Sequence, residues 1–116
     1  SLVNDFVKAL SLSEKEKALS LILKVGENNI SMKTFAALIL EKLRLVLLVK
    51  NAPNLAKDLQ ESVSEDDWKI IQELSTAKDS KINSTTLLEL IRAYEGIGRA
   101  YIESLPLELA VIAICA

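Results

Sequence analysis

The chain has 116 residues, half of them hydrophobic, with 14 basic and 16 acidic side chains and a formal net charge of -2; that is enough apolar material for one ordinary core, and charge this balanced sets up no field that by itself calls for nucleic acid or an anionic membrane. There is no histidine and only one cysteine, Cys115, so the commonest general base and metal ligand is missing, no disulfide can close within the chain, and the composition predicts a cytoplasmic protein. No apolar run approaches the ~18 residues of a membrane helix.

Apolar residues recur at spacings of three and four throughout, with 3 glycines and 2 prolines as punctuation, which predicts an all-α fold of about six helices in a single domain over 1–116. A short first helix is expected over 3–10. The second should start at Ser13, where Ser13 and Glu16 have capping-box spacing; Ala18, Leu19, Ile22 and Leu23 form its stripe, and Gly26 should end it in the left-handed conformation. The third should start at Ser31 with Ile30 and Phe35 as a hydrophobic staple. Met32, Phe35, Ile39, Leu40, Leu43, Val46 and Leu47 are its apolar positions, and Leu38, Leu45 and Leu48 widen the stripe. Only Thr34, Glu41 and Arg44 mark a polar side, so this helix should be central and packed on two sides. Asn51 and Pro53 end it.

A short fourth helix is expected over 55–63. Ser64 should cap the fifth, with Val63 and Trp68 as a second staple and Asp66 and Asp67 complementing the helix dipole; Ile70, Ile71 and Leu74 continue it, and 76–81 reads as a loop. The sixth is expected over 83–104, with a seam of Leu87, Ile91, Tyr94, Gly98, Tyr101 and Leu105. A glycine inside a helix costs about 1 kcal/mol against alanine, so Gly98 predicts close approach of another helix. Pro106 suits the first turn of a last helix. From 107 to 116 the only charge is Glu108; Leu109, Val111, Ile112 and Ile114 leave no polar face, so this helix must be buried all round or meet a partner.

Chemistry-bearing motifs are scarce. No phosphate-binding loop is present, and Gly96 and Gly98 lack the preceding strand and third glycine of a dinucleotide fingerprint. Cys115 has apolar neighbours, which raise a thiol pKa, so it reads as a small buried hydrophobe. Glu65, Asp66 and Asp67 are consecutive at a helix start, whereas catalytic carboxylates converge from separate elements. Lys42, Arg44, Lys50 and Lys57 are interrupted by Glu41, Asp58 and Glu61 and lack aromatics for base stacking, which predicts solvated charge and no direct nucleic-acid contact. Asn29-Ile30-Ser31 and Asn83-Ser84-Thr85 match the glycosylation triplet, but both coincide with expected helix caps.

Two stretches carry a resemblance. One is 35–50, with Glu41-Lys42-Leu43-Arg44 running into Leu45, Val46, Leu47 and Leu48, preceded by the helix–glycine lead at 18–26. The other is Leu105-Pro106-Leu107-Glu108-Leu109-Ala110-Val111-Ile112. Their wording and order resemble the helical third domain of the gamma/tau subunits of bacterial DNA polymerase III clamp loaders. The resemblance spans nearly the whole chain, although 62–81 matches least and lysine, isoleucine and asparagine replace the alanine and arginine common in that family. It implies a collar domain that follows an AAA+ ATPase module in a longer chain. Such domains associate with those of the other clamp-loader subunits in a closed ring, which holds the ATPase modules during sliding-clamp loading in DNA replication. ATP and its binding motifs belong to the ATPase module, so the resemblance implies no catalytic, cofactor or metal residue here. Gly98, Tyr101, Leu109, Ile112 and Ile114 are the expected helix-packing and interface residues. A reading from another class is a stand-alone adaptor that takes a partner helix in an apolar groove.

Overall fold

The computed structural model describes residues 1–116 and contains seven α-helices and no strand: α1 (Leu2–Ser11), α2 (Lys15–Glu27), α3 (Met32–Asn51), α4 (Ala56–Gln60) entered through a 3-10 turn at Pro53–Leu55, α5 (Glu65–Thr76), α6 (Ser84–Ile97) and α7 (Leu105–Ile114). One contiguous core of 26 buried residues draws on every helix except α4. The all-α expectation therefore holds, as a single globule.

α3 is the axis of that core. It is 20 residues long, about 30 Å at helical rise, and it packs against α1, α2, α5 and α6. Phe35, Ala36, Ile39, Leu43, Leu45 and Val46 are buried on more than one of its sides. Its polar side is Thr34, Glu41 and Arg44, all exposed. Ser31 caps it, its hydroxyl accepting from the Thr34 N–H at 3.2 Å. Ser64 caps α5 in the same way, accepting from Asp67. At α6, Asn83 accepts from the Thr86 N–H while the Thr86 hydroxyl accepts from the Asn83 N–H, both at 3.1 Å. Each cap satisfies backbone donors that the first helical turn leaves without partners. The loop before α6 is not merely solvated: Ile82 is buried, and the Lys81 N–H donates to the Ser11 carbonyl at 2.8 Å.

Several expectations are corrected. Ser13 does not cap α2, whose start at Glu14 has no side-chain cap. Instead Ser13, at φ 55°, ends α1: its N–H donates to Leu10 and the Glu14 N–H to Ala9, the paired closing bonds of a Schellman motif. Gly26 does not end α2 either. It lies inside the helix, and Asn29, also at φ 55°, closes it, with Asn29 N–H on Gly26 and Ile30 N–H on Val25. Ile30, expected in a staple, is 40% exposed. The left-handed conformation is costly for a side chain with a Cβ and mildest for asparagine. Ser13→Gly should therefore raise stability by about 0.5–1 kcal/mol, with Asn29→Gly gaining less; unfolded-chain entropy returns part of each gain. Equal Tm values for wild type and Ser13→Gly by thermal melting would contradict this.

The largest correction is α6. It ends at Ile97, not near 104, with Gly98 as its C-cap and a non-helical connection to Ser104. Its buried stripe is Thr86, Leu90, Ala93 and Ile97, while Leu87 and Tyr94 are half-buried and Ile91 is exposed. The expected seam is thus one flank of the helix rather than its core face.

Candidate functional site

The last two helices carry the most distinctive surface. α7 enters through Ser104 with no side-chain cap and has Pro106 in its first turn, where a missing N–H costs nothing. It packs on α6 and α2 and buries Leu107, Ala110 and Val111. The Pro106 ring lies against Gly96, where an added Cβ would meet it at 3.6 Å. Three further large apolar side chains of α7 are uncovered: Leu109 is 56% exposed, Ile112 47% and Leu105 38%. Residues 105, 109 and 112 share one helical face, so these side chains form a continuous stripe. Beside it runs an open groove lined by Leu105, Leu109, Ala110 and Ala113 of α7 and by Glu89, Arg92 and Ala93 of α6. Glu89 and Arg92 lie 3.9 Å apart on the α6 rim.

The five expected interface residues are distributed unevenly. Leu109 and Ile112 are on the exposed stripe. Ile114 is half-buried against the core. Gly98 makes no close helix contact; the nearest side-chain atom to a Cβ built there is Lys33 Nζ at 3.9 Å. Tyr101 is 99% exposed in the connection before α7, away from any packed seam. The glycine that does meet a neighbouring element is Gly96.

A second polar feature joins three helices. Lys42, in the middle of α3, has a side chain only 11% exposed. Its ammonium donates to Asp67 Oδ1 of α5 at 2.8 Å and to Asn4 Oδ1 of α1. The hydrogen bond from Lys42 holds the Asp67 carboxyl below its ordinary value, against the opposing effect of partial burial. Lys42 is therefore structural and not part of a basic patch. Of the neighbouring cations in the sequence, Arg44 pairs with Glu41 at 3.3 Å, and Lys50 and Lys57 are exposed. The signal for Lys42 was in the sequence: 35, 39, 42 and 46 lie on one helical stripe, so the lysine falls in line with Phe35, Ile39 and Val46.

Cys115 is buried, 8% exposed, and burial pushes its thiol pKa up. No group of three or more histidine, cysteine, aspartate or glutamate side chains is arranged to hold a metal ion, and no helix is long and apolar enough to cross a membrane. The chain matches no protein-family model, no curated protein and no solved structure.

Proposed function

We propose that residues 1–116 are an assembly domain, the collar of a gamma/tau-type clamp-loader subunit, which holds ATPase modules in one relative arrangement during sliding-clamp loading and performs no catalysis itself. The observation that carries this reading is the uncovered stripe of Leu105, Leu109 and Ile112 on α7, within the very stretch whose wording resembles that family. On this reading ATP is bound elsewhere in the parent chain, the protein is cytoplasmic, and this domain touches other subunits rather than DNA.

The magnitudes define how such a domain works. Fully burying one exposed leucine or isoleucine contributes about 1.5–3 kcal/mol. These three are already part-buried, so covering what remains is worth roughly half of that each. Association costs at least ~4 kcal/mol of translational and rotational freedom. The stripe alone therefore supports weak contact, and firm assembly needs the contacts of the attached modules, through which each pair of surfaces raises the effective concentration of the other.

The test is the double variant Leu109→Asp with Ile112→Asp in the full-length subunit. Each side chain is already about half buried, so the domain itself should lose about 1.5–3 kcal/mol of stability, and circular dichroism checks that the double variant stays folded. Assembly with the other subunits, followed by sedimentation velocity, should fail or weaken at least tenfold. Normal assembly of the folded double variant would overturn the proposal.

The α6–α7 groove supports the adaptor reading as a second possibility, since an amphipathic helix laid there would bury its apolar face on Leu105, Leu109 and Ala113. The two readings separate in the parent gene: a nucleotide-binding module encoded in frame before residue 1 favours the collar, and a start codon there favours the adaptor.

A further inference from the structure

We draw no further inference here: the strongest candidate, the groove between α1, α3 and α5 walled by Val3, Leu38, Leu45, Val63 and Ile71 over the Lys42 ammonium, carries nothing because Lys42 is already engaged by Asn4 and Asp67 and nothing in the structure shows what covers the aliphatic walls.

Discussion

Phe35→Ala is expected to lower the unfolding free energy by about 3–5 kcal/mol. Phe35 is 2% exposed and Phe6 is fully buried, so neither site can relax toward solvent when truncated. Their rings meet edge to face, with centroids 5.3 Å apart and planes at 73°, a geometry worth about 0.5–1.5 kcal/mol beyond area burial. The contact also fastens α1 to α3, so the cavity opens where two helices meet. A domain of this size has a total stability on the order of 6–17 kcal/mol, and the substitution removes a large fraction of it. Urea unfolding followed by far-ultraviolet circular dichroism measures the loss. Phe6→Ala should cost a similar amount, and the double variant should cost less than the sum because the pair shares one contact. A loss below about 1.5 kcal/mol for Phe35→Ala would mean that the interior closes around the gap and that these rings do not hold α1 in place.

The second large effect is expected at Lys42. Lys42→Ala removes a buried aliphatic stem as well as both hydrogen bonds, leaving Asn4 and Asp67 without their partner. Removing one member of a fully buried ion pair costs about 3–5 kcal/mol. The Asp67 side chain is 42% exposed, so water takes over part of its solvation, and a loss of about 1–3 kcal/mol follows. Lys42→Met keeps most of the stem and isolates the polar contribution; it should fall between wild type and Lys42→Ala. If the two variants were equally destabilised, the stem would contribute nothing.

The same junction sets an acid-side pH dependence. The folded Asp67 carboxyl lies below its ordinary value of 3.8. A carboxyl depressed on folding contributes stability that is fully present above the unfolded value and is lost as pH falls through the folded one. The wild type should therefore lose stability more steeply than Lys42→Met on acidification below about pH 4. Parallel stability curves for the two proteins in that range would rule out the pairing as its source.

How much of this was legible depended on whether one local rule had a competitor. Ser31, Ser64 and Asn83 each have an apolar helical stripe within the next four residues, and each starts a helix as expected. α3 was recognisable as central because its apolar positions cover more than one stripe. Helix ends were harder. Ser13 and Asn29 take the left-handed conformation with no glycine to announce it, and Gly26 sits where the helix simply continues. In α6, two apolar stripes run side by side, Leu87–Ile91–Tyr94 and Leu90–Ala93–Ile97, and spacing alone does not say which faces the core. The three-and-four spacing also runs on through Tyr101 and Leu105 although the backbone turns after Ile97. The exposed stripe of α7 was half legible: a helix with almost no polar residue announces a need for cover, but its sequence does not divide the covered side from the open one. That division is made by α6 and α2, which lie against Leu107, Ala110 and Val111 and leave Leu109 and Ile112 free.

The single thiol has a consequence of its own. Cys115 closes the C-terminal end of α7 and is shielded there, and only the thiolate reacts with electrophiles. Its alkylation at neutral pH should therefore be slow while α7 is docked and should proceed at the rate set by excursions in which the helix lifts away. Labelling thus reports how often the C-terminal end of α7 opens: a neighbour that packs over that end should lengthen the labelling half-life, and one that binds far from it should leave it unchanged.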